Sequence, residues 1–292
     1  MICFPNAKIN IGLNIVSERS DGYHDIETLF YPVNIQDVLE ITLRKVIRPS
    51  RPLLYKMMEN GTYYEDERCS LTIKGNMLPG DPKDNLVVRA FRMLSEDFDI
   101  PPVDIMLYKH IPSGAGLAGG SSDCASLIKM VNRRFGLRMK SSCMERYAAR
   151  LGADCAFFVR NTPVIATGIG NIMTPFNLSL KGYALLLVKP DIDVSTKEAY
   201  SLVTPSTPEE SLSDVLRLPV PEWRGIVKND FEKSIFALHP EIGVLKEKMY
   251  DIGAEYAAMS GSGSTVYGLF RKPVENAESF FSGYSCIQRM LV

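Results

Sequence analysis

Apolar side chains in the first half of the chain alternate in some segments and follow a helical spacing in others. The alternating segments predict strands over 7–15, 28–32, 38–43 and 103–107. The helical spacing predicts helices over 84–98, 123–135 and 141–151. Pro101 and Pro102 must end the first of these helices, because proline cannot continue one. The third helix is expected to use Ser141 or Ser142 as its N-cap and to stop at Gly152.

The second half of the chain mixes the same two patterns. It predicts strands over 183–188 and 265–270 and helices over 226–238 and 241–252. A capping-box sequence at 207–210 predicts a further helix start. The chain is therefore assigned to the α+β class. Two domains are expected, 1–161 and 162–292, with the boundary near Asn161.

Residues 44–68 differ from their surroundings. A basic run is followed by an acidic one, and Asn60-Gly61 is a typical hairpin turn pair. We interpret this segment as a solvated excursion in the form of a β-ribbon, with a role as a lid, a partner contact or a passive insertion.

Composition limits the possible partners. The 292 residues are 46% hydrophobic and 23% charged, which is typical of a globular protein with a core to bury. The net charge of −1 gives no global field for a nucleic acid or an anionic membrane surface, so neither is an expected partner. An anionic ligand must therefore be held by a local site.

The cysteines and the N-terminus indicate a cytoplasmic protein. Six cysteines are scattered without a CxxC pair or a metal-ligand spacing with the three histidines, as expected in a reducing compartment. The first residues carry Lys8 inside an apolar run and do not resemble a signal peptide. No segment approaches the roughly 20 apolar residues that cross a bilayer.

The segment Ile-Pro-Ser-Gly-Ala-Gly-Leu-Ala-Gly-Gly-Ser-Ser at 111–122 is the most informative local feature. It lies between a predicted strand and a predicted helix, where backbone N–H groups can converge on a phosphate. The GxGxxG match at 114–119 is weak evidence for a dinucleotide site, because no acidic residue follows at the required distance. A tight turn that uses glycine for its geometry alone is an equal alternative for this loop.

Two other segments carry charged residues among apolar ones. Lys8 and Asn10 lie on one side of the first strand, although an exposed edge lysine is the simpler explanation. Asp154 stands between a helix stop and an apolar run, where a charge must be paired. By itself Asp154 fits a helix N-cap better than a catalyst.

Together these segments resemble the GHMP kinase superfamily, with its three motifs at 5–14, 112–122 and 259–265. The resemblance implies a two-domain fold, with an N-terminal domain like ribosomal protein S5 domain 2 and a ferredoxin-like C-terminal domain. It also implies ATP as co-substrate, accompanied by Mg²⁺, and a small-molecule alcohol as acceptor.

Within that superfamily, Arg-Ser-Asp-Gly-Tyr-His at 19–24 and Thr-Leu-Phe at 28–30 resemble the branch that phosphorylates diphosphocytidyl methylerythritol. The implied reaction puts the γ-phosphoryl of ATP on the 2-hydroxyl in isoprenoid precursor biosynthesis outside the mevalonate route.

The same resemblance implies residue roles. Asp154 would be the general base, Lys8 would lie beside it, and Asn10 would hold the polyol. The cytidine pocket would comprise Tyr23, His24, Phe30, Thr196 and Tyr200, whereas His110 and His239 stay structural. ATP would be bound by Asn85, Lys109, Pro112, Gly114, Gly116, Gly119, Gly120, Ser121 and Ser122.

The resemblance does not identify the Mg²⁺ ligands. A hydroxyl of Ser121 or Ser122 is the nearest candidate. Two alternatives remain for the whole chain: an inactive ligand-binding regulator with this fold, and a nicotinamide-dependent oxidoreductase, which needs a βαβ half that the sequence does not supply.

Overall fold

The computed structural model of the protein describes residues 1–44, 54–58 and 61–292. In this part of the chain there are fourteen strands, β1 to β14 in chain order: Ile2–Cys3, Asn6–Glu18, His24–Gln36, Val38–Leu43, Leu54–Met58, Gly61–Glu65, Cys69–Gly75, Val103–Lys109, Val164–Thr167, Ile172–Pro175, Ala184–Lys189, Tyr256–Met259, Val266–Phe270 and Ser285–Met290.

The same part of the chain contains nine α-helices, α1 to α9: Leu86–Asp97, Gly119–Phe135, Ser141–Ala149, Ala153–Arg160, Thr196–Ser201, Leu212–Val215, Phe231–Leu238, Pro240–Asp251 and Ala277–Phe280. Two short 3₁₀ turns lie at Pro82–Asp84 and Val220–Glu222. The presence of both strands and helices in each half of the chain confirms the α+β class.

The chain forms two compact units. The first comprises Met1–Ala7, Ile35–Ser113 and Ala118–Asn161, and the second comprises Lys8–Asn34, Gly114–Leu117 and Thr162–Val292. The assignment of whole domains to 1–161 and 162–292 stays a prediction.

The first unit is built on a six-stranded sheet with the order β1-β4-β8-β7-β6-β5. Strands β7 and β8 are parallel, joined by a crossover that contains α1, and the other pairs are antiparallel. Along β8 every second residue is buried, so Val103, Ile105 and Leu107 enter the core. Lys109 continues this buried phase.

The second unit contains two four-stranded sheets, β10-β9-β3-β2 and β12-β13-β11-β14. Strand β11 is buried along nearly its whole length between β13 and β14, which explains its continuous apolar run. Helices α7 and α8 contribute Ile235, Leu245 and Met249 to a core that also contains Leu186 and Val188.

The predicted excursion at 44–68 is integrated into the first sheet where the structure describes it. Strands β5 and β6 pair antiparallel from Leu54↔Glu65 to Met58↔Gly61, which confirms a ribbon. Strand β6 also pairs with β7, and the Tyr64 side chain is 2% exposed, so "solvated" is wrong for this strand. Residues 45–53 and Asn60 of the turn pair lie outside the described residues.

Three predicted helix starts are corrected. The capping box at 207–210 starts no helix; Ser211 is the N-cap of α6, and its hydroxyl accepts the N–H of Asp214. Helix α3 begins after Lys140 without a side-chain cap, so neither Ser141 nor Ser142 is the N-cap.

The helix predicted over 226–238 begins only at Phe231. The preceding backbone is paired with β2 instead: Leu13 donates its N–H to the carbonyl of Lys228 at 2.8 Å and accepts the N–H of Asp230 at 2.9 Å. Because these backbone groups are used by the strand, they cannot form a helical turn.

Candidate functional site

The phosphate loop, residues 112–122, ends in a helix start that no side chain caps. Helix α2 begins at Gly119, and the N-cap Ala118 has left-handed backbone angles, φ 54° and ψ 34°. The first N–H groups of a helix have no intrahelical acceptor, and they lie at the positive end of the helix dipole. This helix start therefore has the chemistry of an anion site.

Gly116 is the glycine of the phosphate loop that the structure requires most strictly. Its φ is +71°, and a Cβ at this position would lie 1.9 Å from the carbonyl oxygen of Ser260. The Ser260 hydroxyl also donates to the carbonyl of Gly116 at 2.9 Å. The loop and the third motif therefore make backbone contact here, and no other residue type fits.

Lys8 and Asn10 form a buried polar network on β2, and each is 4% exposed. The Lys8 ammonium donates to Asn10 Oδ1 and, at 3.2 Å, to the carbonyl of Gly116. Asn10 Nδ2 donates to the Thr28 hydroxyl at 3.0 Å. The exposed edge lysine considered for Lys8 is therefore wrong, because a buried ammonium needs these acceptors.

Asn229 holds the third motif and was not predicted from the sequence. Its Nδ2 group donates to the carbonyls of Met259 and Gly261, both at 2.8 Å, and its Oδ1 accepts the N–H of Phe231. The side chain is 4% exposed. No local pattern marked it, because Asn229 lies inside the helix predicted over 226–238 and its acceptors lie 30 and 32 residues further along the chain.

Asp154 lies in the first turn of α4 and is half-buried. The N-cap of α4 is Gly152, so the interpretation of Asp154 as an N-cap is wrong. The next residue, Cys155, has its pKa lowered by hydrogen bonds from the Cys124 thiol and the Ser121 hydroxyl. The residue after Asp154 thus contacts a serine of the phosphate loop.

Several predicted ATP residues have structural partners of their own. Asn85 is the N-cap of α1, and its Oδ1 accepts the N–H of Val87 at 2.9 Å. The Lys109 ammonium is 2% exposed and forms ion pairs with Asp37 and Asp123. Their contacts to ATP stay predictions.

The two carboxylates beside Lys109, Asp37 and Asp123, were not predicted from the sequence. The signal for them is that Lys109 follows Val103, Ile105 and Leu107 on the buried side of β8. A buried ammonium requires anionic partners.

The residues predicted for the cytidine pocket differ in exposure. The rings of His24 and Tyr200 are stacked, with centroids 5.0 Å apart and 27° between planes. The Thr196 and Ser262 hydroxyls lie 3.4 Å apart. Phe30 is 2% exposed, and the centroid of its ring lies 5.1 Å from the Lys8 ammonium. Tyr23, in contrast, is 61% exposed. The structure thus brings His24 and Tyr200 together, and the pocket itself stays a prediction.

Within 1–44, 54–58 and 61–292, no group of three or more His, Cys, Asp or Glu side chains could hold a metal ion. No helix in that part of the chain is long and apolar enough to cross a membrane.

Two family models match the chain. The model described as "GHMP kinases N terminal domain" matches residues 85–162, and the one described as "GHMP kinases C terminal" matches residues 219–284. The first match contains the phosphate loop and Asp154, and the second contains Asn229 and the third motif.

Curated relatives are similar over nearly the full length. The chain is 49% identical over 291 residues, 100% of both proteins, to a Bacteroides fragilis protein named 4-diphosphocytidyl-2-C-methyl-D-erythritol kinase. It is 51% identical to one of the same name from Bacteroides thetaiotaomicron, with 92% of each covered. A crystal structure titled 4-(cytidine 5'-diphospho)-2C-methyl-D-erythritol kinase superposes with a TM-score of 0.76 at 27% identity, covering 99% of this chain and 98% of that one.

Proposed function

The chain belongs to the 4-diphosphocytidyl-2-C-methyl-D-erythritol kinase family of GHMP kinases, and we propose that it transfers the γ-phosphoryl of ATP to the 2-hydroxyl of that diphosphocytidyl alcohol. The products are ADP and the 2-phosphate, in isoprenoid precursor biosynthesis. The observation that carries this proposal is the 49% identity that extends over the whole of both chains.

The phosphate loop binds the triphosphate of ATP in this proposal. The uncapped N–H groups at the start of α2 supply donors, and Gly116 lets the loop approach the third motif without a side chain between them. The glycines 114, 119 and 120 and Pro112 complete the loop, with Asn85 and Lys109 toward the adenine.

Mg²⁺ accompanies ATP and neutralises charge on the phosphate oxygens when bound. Within the described ranges no group of three or more His, Cys, Asp or Glu side chains could hold the ion, and we propose the hydroxyl of Ser121 as a protein ligand. Ser122 is 1% exposed, which disfavours its hydroxyl, whereas Ser121 is partly exposed.

Asp154 accepts the proton of the acceptor hydroxyl. Asp154 lies in the first turn of α4, near the positive end of the helix dipole, where its carboxylate oxygens can orient the hydroxyl. Phosphoryl transfer has a loose transition state, so positioning contributes more than early removal of the proton.

Lys8 supplies positive charge to the transferred group. Its ammonium is held by Asn10 Oδ1 and the Gly116 carbonyl, so it requires no reorganisation during the reaction. Asn10 itself binds the polyol of the acceptor.

The cytidine end binds to aromatic side chains. Tyr23 and Tyr200 stack on the base, His24 forms hydrogen bonds with it, and Phe30 and Thr196 line the pocket. The contact between the His24 and Tyr200 rings supports a common binding surface for these two residues.

We also propose that the protein acts in the cytoplasm. All six cysteines are free thiols, as a reducing compartment favours.

The experiment is ADP release from MgATP with the diphosphocytidyl alcohol, homoserine, mevalonate, galactose or no acceptor. Wild type is compared with Asp154→Asn, which keeps the shape of the side chain but removes the base. Asp99→Asn is the matched control, because Asp99 is an exposed loop aspartate.

We expect turnover only with the diphosphocytidyl alcohol, an Asp154→Asn rate lower by about 10²–10⁴-fold, and an unchanged Asp99→Asn rate. Turnover with another acceptor would keep the kinase assignment and refute the cytidine pocket. Binding of ATP without any transfer would favour the regulatory alternative.

A further inference from the structure

Three charged side chains are buried at the two ends of the phosphate loop. Asp37 is 0% exposed, and the side chains of Lys109 and Asp123 are each 2% exposed. We call them the phosphate-loop clamp. Asp37 and Asp123 have no role in the predicted reaction, and Lys109 is assigned only to the adenine side.

The clamp binds the backbone at the start of the loop. Asp37 lies between β3 and β4, and its Oδ1 accepts the N–H of His110 at 2.6 Å and of Ile111 at 2.9 Å. These residues follow β8 directly and lead into Pro112. The start of the loop is therefore fixed to a neighbouring strand connection by two charge-assisted hydrogen bonds.

The clamp also binds the helix at the end of the loop. The Lys109 ammonium donates to Asp37 and, at 2.7 Å, to Oδ2 of Asp123 in the second turn of α2. Close packing at the same place involves Gly119, where a Cβ would lie 2.9 Å from Ile111 and 3.3 Å from the Lys109 ammonium. The two ends of the loop are thus joined through one cation.

The charges of the clamp do not balance. Two carboxylates share one ammonium, and Oδ1 of Asp123 is buried without a hydrogen-bond partner in the described part of the chain. Burial, together with repulsion from Asp37, raises the pKa of Asp123 despite the attraction of Lys109. Burial lowers the pKa of Lys109, but the attraction of Asp123 and Asp37 outweighs it and leaves the pKa raised. A single ion pair would satisfy Lys109, so stability alone does not account for the second carboxylate.

We propose that Asp37, Lys109 and Asp123 act as positioning residues that hold both ends of the phosphate loop in the conformation that binds ATP. This inference rests on the proposed function only in assigning ATP to the loop. The three side chains act through the backbone of 110–111 and the first turns of α2, and they are not assigned contacts with the reacting atoms.

The decisive variant is Asp123→Ala. It removes the link to α2 but leaves Lys109 paired with Asp37, so the remaining charges balance and the fold is retained. Asp123→Asn is the conservative variant, because its carbonyl oxygen still accepts from Lys109.

Asp66→Ala is the matched control for loss of a partly buried, ion-paired carboxylate. Asp66 accepts the N–H groups of Arg68 and Cys69 and pairs with Arg92 in the same unit, but it lies outside the loop.

The first readout is the Kd of a non-hydrolysable ATP analogue with Mg²⁺, measured by calorimetry without any acceptor. We expect a rise of roughly ten- to hundredfold for Asp123→Ala, since hydrogen bonds to charged groups have this range of effect. The Kd of Asp123→Asn should lie within about threefold of the wild-type value. Asp66→Ala should lower the melting temperature but leave the Kd unchanged.

The second readout is the KM of each substrate. For Asp123→Ala, the KM for ATP should rise, whereas the KM for the diphosphocytidyl alcohol should not change. If Asp123→Ala binds the analogue as wild type does, the clamp is structural only and the inference is wrong. If wild type binds the analogue but phosphorylates no acceptor, the proposed function fails while the clamp is still tested by the Kd values.

Discussion

Replacing Gly116 with alanine should abolish the close contact between the phosphate loop and the third motif. The new Cβ would lie 1.9 Å from the Ser260 carbonyl oxygen, whereas real Cβ atoms stay beyond 3.0 Å. Relief therefore requires a displacement of at least 1.1 Å, the difference between these two distances. The positive φ of +71° adds about 1–2 kcal/mol of backbone strain.

A displacement of about 1 Å at a site of phosphoryl transfer costs on the order of 100-fold in rate, or about 2.7 kcal/mol of transition-state stabilisation. We expect kcat/KM with the diphosphocytidyl alcohol to fall by about that factor. Steady-state ADP release over a range of ATP concentrations measures it.

Gly136→Ala separates the contact from the backbone strain. Gly136 ends α2 with a similar φ of +64°, but a Cβ there meets no atom within 4 Å. This control should lose stability by about 1–2 kcal/mol and keep its kcat/KM. A kcat/KM of Gly116→Ala within about threefold of that of Gly136→Ala would show that the contact does not position the loop.

Three further results are expected. Ser260→Ala removes a buried hydroxyl that bridges two backbone segments, and urea unfolding should show a loss of about 1–3 kcal/mol; an unchanged midpoint would contradict the bridge. Burial raises the pKa of Asp123 from 3.8 to about 7 in the folded protein, so its proton stabilises the fold fully below pH 3.8 and this contribution is lost as the pH rises through about 7. The free energy of unfolding of Asp123→Asn should therefore rise relative to that of wild type between pH 3.8 and about 7. Urea unfolding at several pH values measures this difference, and a difference that does not change with pH would refute the shift. Tyr200→Phe should keep the stack with His24 and the acceptor KM, whereas Tyr200→Ala should raise that KM by roughly three- to tenfold, with the KM for ATP as the internal control.

Local patterns predicted the elements well where one face of a strand or helix is buried. The alternation at 103–107 and the helical spacing at 84–98 both correspond to observed elements, β8 and α1. The error at 226–238 has a different origin, because the pairing of Leu13 with the backbone near Asn229 joins residues far apart in sequence. Local spacing contains no information on such a pairing.

The residues of the functional site were also predictable where their motifs are local in sequence, and not where their partners lie far along the chain. Lys8, Asn10 and the phosphate loop stood out because charged or glycine-rich segments interrupt apolar ones, and their family motifs are local in sequence. Asp37 was not predicted, because its partner Lys109 lies 72 residues away and only the fold brings them together. Asn229 was missed for the same reason, since it holds carbonyls 30 and 32 residues further along the chain.

The most direct test of the central claim is ³¹P NMR of the product formed by wild type from MgATP and 4-diphosphocytidyl-2-C-methyl-D-erythritol. The account predicts one new phosphomonoester on the 2-position, formed in equal amount to ADP and nearly absent with Asp154→Asn. ADP without a new phosphomonoester, or a phosphate on another hydroxyl, would contradict it.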